Sequence, residues 1–369
     1  MRVLRFLSTN FRNLAPDEVA FGPGLNFLVG ANGQGKTNLL EAIYFFRFGR
    51  SFRAASDTEM IRFNEPFCRA ELAAAFGDGH DEQFAFSVER RGTKTIKIDG
   101  QVLPRRSGLA GRFPAVLFGP ADLRIVSGEP EHRRRFLDMV GTMTDPAYLR
   151  SARDYRRTLE QRNGALKARA SRDEMAAWNE RLVTSGVDLT ARRRELVGLV
   201  EMEMAAHARD VECPFEFSMR YETALLEDAG DDITVEAGLT RAFHEKLAAV
   251  AHEESRRGIT LVGPHRDDVV FSMAQQDLRR FGSQGQRRLF AVLLKLAELS
   301  HLETELREPC VLLLDDVFAE FDPTIMAKLQ RMLDGDRQVF ITSPVAIHDL
   351  HAPNARLYAV ESGRVSAAC

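Results

Sequence analysis

Residues 30–37 match the pattern G-x-x-x-x-G-K-[ST] at every required position. Glycines let backbone N–H groups converge on an anion, and the lysine of this pattern reaches the outer phosphates of a nucleotide. The threonine hydroxyl is a ligand for Mg²⁺. A chance glycine-rich turn is the alternative interpretation. The pattern predicts that a nucleoside triphosphate and Mg²⁺ are bound by Gly30, Ala31, Asn32, Gly33, Gln34, Gly35, Lys36 and Thr37.

Two adjacent carboxylates, Asp315 and Asp316, follow the apolar run at residues 311–314. In a fold that hydrolyses a nucleotide, Asp315 is expected to hold Mg²⁺ directly or through water, and Asp316 to polarise the attacking water. An acidic turn at the end of a strand is the alternative. The phosphate-binding pattern upstream favours the catalytic interpretation.

A second anion-binding feature is predicted at residues 281–286, Phe-Gly-Ser-Gln-Gly-Gln, which open a helical pattern. A serine and a glycine at a helix start form an end that binds anions. One chain has no obvious use for two such ends on the same phosphates, so we expect Ser283 to close over the γ-phosphate held by a second copy. Capping of the chain's own helix by Ser283 is the alternative.

Short apolar runs place these residues on an α/β scaffold. Strands are predicted at residues 3–6, 19–21, 25–29, 115–118, 269–271, 311–314 and 338–341, and helices at residues 38–46, 284–301 and 323–333. Asp99-Gly100 separates two strand-like runs, which predicts a β-hairpin over residues 93–103. Residues 129–255 are rich in Arg, Glu, Ala, Leu and Met, which predicts long helices with one strand at residues 215–220.

This alternation predicts an α/β unit interrupted by a helical insertion. We expect a head formed by residues 1–125 and 258–369, with residues 126–257 inserted as a mostly helical lid. The chain has 369 residues, of which 44% are hydrophobic and 28% are charged. These values exclude a disordered, collagen-like or simple coiled-coil protein.

The cysteine and hydropathy patterns indicate where in the cell the protein is expected. Four cysteines lie far apart, without the spacing of a zinc site or of a disulfide framework, so a cytoplasmic location is expected. The apolar runs are too short to span a bilayer, and the first 13 residues lack the apolar region of a signal peptide. No membrane partner is expected.

Several segments together resemble a known family. They lie at residues 10–13 (Asn-Phe-Arg-Asn), 27–41, 49–53 (Gly-Arg-Ser-Phe-Arg), 118–123, 134–138, 263–268 (Gly-Pro-His-Arg-Asp-Asp), 283–286 and 313–322. The chain resembles the ATP-binding-cassette head of SMC-type chromosome proteins and, more closely, the RecF family of bacterial recombination mediators. The likeness runs essentially from end to end.

The resemblance implies an ABC/SMC-type ATPase head with an inserted helical lid. It implies a DNA-dependent ATPase that uses ATP and Mg²⁺, dimerises around ATP, and binds single-stranded or gapped duplex DNA. It also implies partnership with RecO and RecR in loading RecA. The resemblance also implies that the nucleotide is contacted by Arg12, Asn13 and Asn38. It implies that the nucleotide of the second copy is contacted by a signature segment containing Ser283, Gly285 and Gln286. It implies that Asp322 is the acid of the dimer-crossing loop and that Thr342 is a γ-phosphate switch.

Three departures from the cassette pattern are present. Asp316 stands where transport cassettes usually have glutamate, and this shorter base predicts slow hydrolysis. No histidine ends the strand at residues 338–342, so the switch role falls to a hydroxyl. No glutamine follows the strand at residues 115–118 where a metal-sensing loop is usual.

The segment at residues 129–172 is basic, with eleven Lys or Arg against six acids, a local charge of +5 in a chain of net charge −3. On a helix, positions 150, 153 and 157 share one face. Arginine suits contacts with phosphate, so the segment is interpreted as a DNA-binding surface. A solvated helix face with ion pairs is the alternative. The predicted DNA-binding residues are Arg133, Arg134, Arg150, Arg153 and Arg157.

Two other functions share the cassette. The energising subunit of a membrane transporter would need no DNA affinity, and the basic helical insertion argues against it. A head of a long-armed SMC protein would need hundreds of residues of heptads, which this insertion does not provide.

Overall fold

The computed structural model describes residues 1–225, 236–316, 337–344 and 355–368. These residues form two compact units. The first consists of Met1–Asp122 with Glu298–Cys369, and the second of Leu123–Ala297. Asp322 and the predicted helix at residues 323–333 lie outside the described residues.

The secondary-structure elements are given in chain order. The first part of unit one contains β1 (Arg2–Thr9), β2 (Val19–Ala20), β3 (Leu25–Val29), α1 (Lys36–Phe48), β4 (Phe67–Ala75), β5 (Asp81–Glu89), β6 (Lys94–Ile98), β7 (Gln101–Val102) and β8 (Ala115–Phe118). There follow α2 (Leu123–Ser127), α3 (Pro130–Thr144), α4 (Pro146–Ala168), α5 (Arg172–Asp210), β9 (Phe217–Glu222), α6 (Glu236–Arg257), β10 (Asp268–Met273), β11 (Gln276–Asp277), α7 (Leu278–Phe281) and α8 (Gln284–Leu306). Unit one ends with β12 (Val311–Leu314), β13 (Val339–Ser343), β14 (Arg356–Glu361) and β15 (Arg364–Ala367).

The first unit is built from two six-stranded sheets. One sheet is antiparallel, with strand order β2-β1-β4-β5-β6-β7. Its β6–β7 hairpin turns at Asp99 (φ 49°) and Gly100 (φ 77°), as the Asp-Gly pair predicts. The long strands β4 and β5 were not individually predicted, although Asp78-Gly79 between them (Gly79 φ 88°) is a turn pair of the same kind.

The second sheet of this unit carries the predicted chemical groups. Its strand order is β15-β14-β3-β13-β12-β8, and β14, β3, β13, β12 and β8 are parallel. Leu314 pairs with Ile341, and Ser343 pairs with Val29. Because parallel strands end at the same edge of a sheet, the carboxyl ends of β3, β12 and β13 lie together.

Helix α1 packs against both sheets. Ten of its 13 residues are buried, so the helix is enclosed nearly all round, as expected for a helix inside a core. Its Phe45 ring lies 3.8 Å from the ring of Phe86 on the antiparallel sheet, and its core cluster also includes Leu313 and Phe340 of the parallel sheet. The start of α1 is thereby held firmly beside the phosphate loop.

The second unit is mostly helical, with a small antiparallel sheet of order β11-β10-β9. Its first boundary, at 122/123, lies three residues before the expected join at 125/126. Its second boundary, at 297/298, lies 40 residues after the expected join at 257/258. The reason is that β10 pairs with β9, so residues after 258 continue the second unit instead of returning to the first. Among the described residues, no helix has both the length and the apolar composition needed to span a membrane.

Candidate nucleotide-binding site

The phosphate loop, residues 30–37, connects β3 to α1. Gly35 precedes the helix with a φ of 116°, a left-handed conformation that glycine adopts without steric cost. Lys36 is 6% exposed, and its Nζ donates to the carbonyl oxygens of Gly30 (2.6 Å) and Ala31 (3.1 Å). The ammonium therefore lies within the loop, at the end of α1 where the helix dipole is positive. Such a loop can bind the phosphates of a nucleotide.

The turn between β14 and β15 holds the phosphate loop. The backbone N–H of Gly363 donates to the carbonyl oxygen of Gln34 (2.8 Å). The backbone N–H of Ser362 donates to the side-chain Oε1 of Gln34 (2.5 Å). Gly363 has a φ of 83°, and a Cβ at this residue would lie 1.7 Å from the carbonyl oxygen of Asn13. Sequence reasoning missed this turn, although Ser-Gly between two short runs is a turn signal.

Asn13 and Asn38, both expected to contact nucleotide, are hydrogen-bonded within the protein. Asn13 Nδ2 donates to the carbonyl oxygen of Gly33 (3.1 Å), and Asn38 Nδ2 donates to Asn13 Oδ1 (2.6 Å). A guanidinium nitrogen of Arg53 donates in turn to Asn38 Oδ1. These side chains lie beside the loop and support its backbone.

A buried carboxylate on α1 anchors the neighbouring arginines. Glu41 is fully buried and accepts hydrogen bonds from Arg12, Arg53 and Ser51. Burial by itself would raise the pKa of Glu41, but these hydrogen bonds outweigh it and the pKa is lowered. The remaining Arg12 nitrogen, Nη1, donates to the carbonyl oxygen of Glu59 (3.1 Å). Arg12 therefore braces α1, and sequence reasoning missed its partner Glu41.

The predicted metal ligands meet at the edge of the parallel sheet. Thr37 Oγ1 donates to Asp315 Oδ1 at 2.8 Å, and Thr342 Oγ1 donates to the same oxygen at 2.9 Å. Asp315 is 8% exposed, and burial raises its pKa above the ordinary value although both hydroxyl donors oppose the rise. The sequence separation of Thr37 and Asp315 is large, and only the pairing of the strands brings them together.

Hydroxyl and carboxylate oxygens are the ligands that Mg²⁺ prefers. Neighbouring ligands of an octahedral Mg²⁺ are about 3 Å apart, since each lies about 2.1 Å from the ion. The separation of 2.8 Å between Thr37 Oγ1 and Asp315 Oδ1 matches this spacing. These two residues therefore fit the predicted metal site.

Asp316 has the geometry of a constrained acid. Its φ is 55°, a left-handed conformation that glycine adopts freely and that asparagine and aspartate adopt more readily than other residues. Its backbone N–H donates to Thr342 Oγ1 at 2.9 Å. Its Oδ1 is buried and has no hydrogen-bond partner among the described residues. A buried carboxylate oxygen without a partner is costly, and a water or metal-bound group would satisfy it.

Thr342 lies near the carboxyl end of β13, and its role as a γ-phosphate switch stays a prediction. It is 1% exposed, its single proton is donated to Asp315, and its oxygen accepts from Asp316 N–H. A hydroxyl has only one proton to donate. In this arrangement Thr342 joins the two acids and fixes their relative position.

Ser283 lies in the second unit and caps α8. Its N–H donates to Gln286 Oε1 (2.7 Å), and Gln286 N–H donates to Ser283 Oγ (3.3 Å), which together form a capping box. The capping alternative is therefore present. It uses Ser283 Oγ as an acceptor and leaves the hydroxyl proton available to a further acceptor. Ser283 and Gly285 are exposed, and the role on a second copy stays a prediction.

The arginines predicted to bind DNA have different surroundings. Arg133 is 3% exposed, forms two hydrogen bonds with the Asp268 carboxylate (2.7 and 2.9 Å), and so cannot reach DNA in this fold. The expectation for Arg133 is corrected on this ground: the charge stabilises the start of β10. Arg134 is partly buried and donates to the carbonyl oxygen of Asp267 (2.6 Å). The arginines of α4 that are exposed include Arg150, Arg153 and Arg157.

Comparison with protein families and curated sequences gives consistent matches. The family model for the RecF/RecN/SMC N terminal domain matches residues 2–361. A protein of Geobacillus kaustophilus named DNA replication and repair protein RecF is 36% identical, covering 97% of each chain. A protein of the same name from Symbiobacterium thermophilum is 38% identical, covering 96% of this chain and 95% of the relative.

Solved structures show similar folds. A structure of the recombination mediator protein RecF with ATP, in the RecFOR pathway, has a TM-score of 0.89 and 29% identity, covering 100% of this chain and 97% of that one. An SMC head bound to the C-terminal winged-helix domain of ScpA has a TM-score of 0.56 and 13% identity, covering 100% and 98%. The second likeness concerns the fold alone.

Proposed function

Because the chain belongs to the RecF family, within the RecF/RecN/SMC N-terminal domain family, and has the expected α/β fold of an ABC/SMC-type ATPase head, we propose that it is an ATP-dependent DNA-binding protein of recombinational repair and replication. In this proposal the chain hydrolyses ATP slowly, forms a homodimer around ATP, and binds single-stranded or gapped duplex DNA. It acts with RecO and RecR to load RecA in the cytoplasm.

One observation carries the ATPase part of the proposal: the hydrogen-bonded series Thr37–Asp315–Thr342–Asp316 beside the phosphate loop. The loop and Lys36 bind the phosphates, while Thr37 and Asp315 hold Mg²⁺. When bound, Mg²⁺ neutralises charge on the phosphates. Asp316, with one buried oxygen that has no hydrogen-bond partner among the described residues, orients the attacking water. Its side chain is one methylene shorter than that of glutamate, which accounts for slow turnover.

The dimer part of the proposal depends on Ser283. Its hydroxyl proton is available to a phosphate oxygen held by a second copy, and the N-terminus of the 23-residue α8 adds positive potential. ATP then joins two chains, and hydrolysis separates them. The exposed arginines of α4 supply the charge for DNA phosphates in the same proposal.

The test measures molecular mass by light scattering with and without Mg-ATP. We expect the wild type and Asp316→Asn to dimerise with ATP and Lys36→Arg to remain monomeric. Asparagine keeps the shape of aspartate and tolerates the left-handed backbone at residue 316, but it carries no charge to orient water. Hydrolysis by Asp316→Asn is therefore expected to fall at least about 100-fold. A monomeric Asp316→Asn variant under saturating ATP contradicts the proposal.

The DNA part is tested by titration of a fluorescent gapped duplex at several salt concentrations. Each phosphate contact contributes about 0.9 to the slope of log affinity against log salt. We expect the triple variant Arg150→Gln, Arg153→Gln, Arg157→Gln to lose up to about 3 from this slope. Arg241→Gln, an exposed arginine of α6 in the same unit, is the matched control and keeps the wild-type slope. Absence of wild-type binding at low salt contradicts this part.

A further inference from the structure

A phenylalanine is exposed at the end of α7. Phe281 is 64% exposed, two residues before Ser283. The guanidinium of Arg280 lies 5.9 Å from the centre of its ring. A single exposed aromatic side chain does not by itself mark an interaction surface. Its significance here comes from its setting.

The backbone under Phe281 is fixed by hydrogen bonds. Asp277 Oδ1 accepts from the N–H groups of Arg279 (2.7 Å) and Arg280 (3.3 Å), and Gly282 N–H donates to the carbonyl oxygen of Leu278 (3.0 Å). Leu278 itself is completely buried. The backbone that carries the ring is therefore already ordered, so a partner does not need to order it on binding.

The residues around Phe281 suit an approaching anionic surface. Gly285 lies in the first turn of α8, where a Cβ would meet no atom of the described residues within 4 Å, so none of them requires glycine there. Arg279 is paired with Glu129 at 3.0 Å, whereas Arg280 has no carboxylate partner among the described residues. An arginine without a carboxylate partner in the described part of the chain, beside an open helix start, complements a bound triphosphate.

We propose that Phe281 is an apolar anchor of the ATP-bound homodimer, packing against the second copy beside the nucleotide that Ser283 closes. This inference rests on the proposed function, because it takes the second copy's nucleotide to lie at Ser283. Two residues of chain span at most about 7 Å, so a copy that brings its phosphates to Ser283 comes within reach of the Phe281 ring. Arg280 contributes charge at the same surface. In a two-fold symmetric dimer the contact occurs twice.

The experiment measures the dimer dissociation constant of the full chain by sedimentation equilibrium in Mg-ATP. The hydrolysis-deficient Asp316→Asn background keeps the nucleotide intact. Burying two partly exposed phenylalanines predicts that Phe281→Ala weakens dimerisation about 30-fold or more. Phe281→Leu, which keeps most of the apolar volume, is expected within about 5-fold of the parent. Phe63→Ala, at an 86% exposed phenylalanine of the first unit, is the matched control and leaves the constant unchanged.

A second measurement distinguishes the hypothesis of the Phe281 anchor from the hypothesis of the ATP-dependent homodimer. ATP binding by the monomer, measured at protein concentrations below the dissociation constant, is expected to be equal in the parent and Phe281→Ala. If the parent itself remains monomeric with ATP, the proposed function fails. If the parent dimerises and Phe281→Ala dimerises equally well, the anchor is refuted while the homodimer stands. A loss of ATP binding by monomeric Phe281→Ala also refutes the anchor, because it places the ring in the chain's own site.

Discussion

Replacing Thr342 by valine should disturb the positions of Asp315 and Asp316 without changing the binding of nucleotide. The substitution keeps the size and β-branching of the side chain and removes only the hydroxyl that joins Asp315 to Asp316. The bond from Thr37 to Asp315, at 2.8 Å, is untouched, as is the phosphate loop. We therefore expect Thr342→Val to bind Mg-ATP with nearly wild-type affinity but to hydrolyse it poorly.

The structure gives the size of the effect. Asp316 N–H loses its partner at 2.9 Å and is left unsatisfied in a partly buried place, which costs about 1–3 kcal/mol. Asp315 loses one of two hydroxyl donors, a further loss of about 1 kcal/mol. The left-handed backbone at residue 316 then loses the hydrogen bond that its N–H makes to Thr342, so the carboxylate can move. A misplacement of about 1 Å at a reacting group lowers the rate about 100-fold.

The assay is steady-state ATP hydrolysis combined with equilibrium binding of a fluorescent ATP analogue. We expect kcat to fall about 100-fold and the nucleotide dissociation constant to change less than about 3-fold. The matched control is Thr342→Ser, which keeps the hydroxyl and should retain most of the wild-type kcat. Thermal unfolding of both variants shows whether the first unit remains folded.

Two results would refute the reasoning. A Thr342→Val variant with wild-type kcat would show that the hydroxyl bridge does not hold Asp316 in its active position. Equal losses in Thr342→Val and Thr342→Ser would assign the effect to packing at a residue that is 1% exposed. If Thr342→Val lowers the affinity for ATP and leaves kcat unchanged, the result favours the role of Thr342 as a γ-phosphate switch.

The remaining predictions concern the loop support and the second unit. The Cβ of Gly363→Ala would lie 1.7 Å from the carbonyl oxygen of Asn13, so this variant should displace the turn from Gln34 and weaken ATP binding about 10-fold. Gly92→Ala, at a glycine with a φ of 89° and no neighbour within 4 Å among the described residues, is the control and should bind ATP as the wild type does. Burial lowers the pKa of His265 to about 4, so its neutral form contributes stability at pH 7 that is lost as the pH falls from about 6.5 towards 4. His265→Gln should therefore reduce the fall in unfolding free energy between pH 7 and pH 5 by about 2 kcal/mol, measured by urea denaturation; an unchanged pH dependence would contradict this.

The contacts of His265 give the reason for that sign. Nε2–H donates to the carbonyl oxygen of Thr260 (3.1 Å), so Nδ1 is the acceptor for the Tyr155 hydroxyl (2.6 Å). The largest cause of the lowered pKa is burial, which disfavours the charged imidazolium. Protonation of Nδ1 would also break the hydrogen bond from Tyr155 and place a cation near Arg266, Arg134 and Arg193. The native state thus binds this proton more weakly than the unfolded chain does.

Arg133 shows where sequence reasoning about surfaces is limited. The basic segment was counted as one surface, but a linear count does not distinguish an arginine that faces solvent from one that faces a carboxylate. Arg133 and Arg150 belong to the same count, yet the first is buried on Asp268 and the second is exposed. The helical period predicts that positions 150, 153 and 157 share one face, because periodicity reports orientation about a helix axis, and the structure shows all three residues exposed.

The sequence by itself determined the phosphate loop, because its glycines, Lys36 and Thr37 lie in one short segment and take their conformation from local backbone preferences. It likewise determined the Asp-Gly hairpin and the apolar strand before Asp315. Only the tertiary structure decided that Thr342 joins Asp315 to Asp316, that the turn at Gly363 holds Gln34, and that β10 belongs with β9. Each of these depends on pairing between strands far apart in the chain, and such pairing has no signal in local residue spacing.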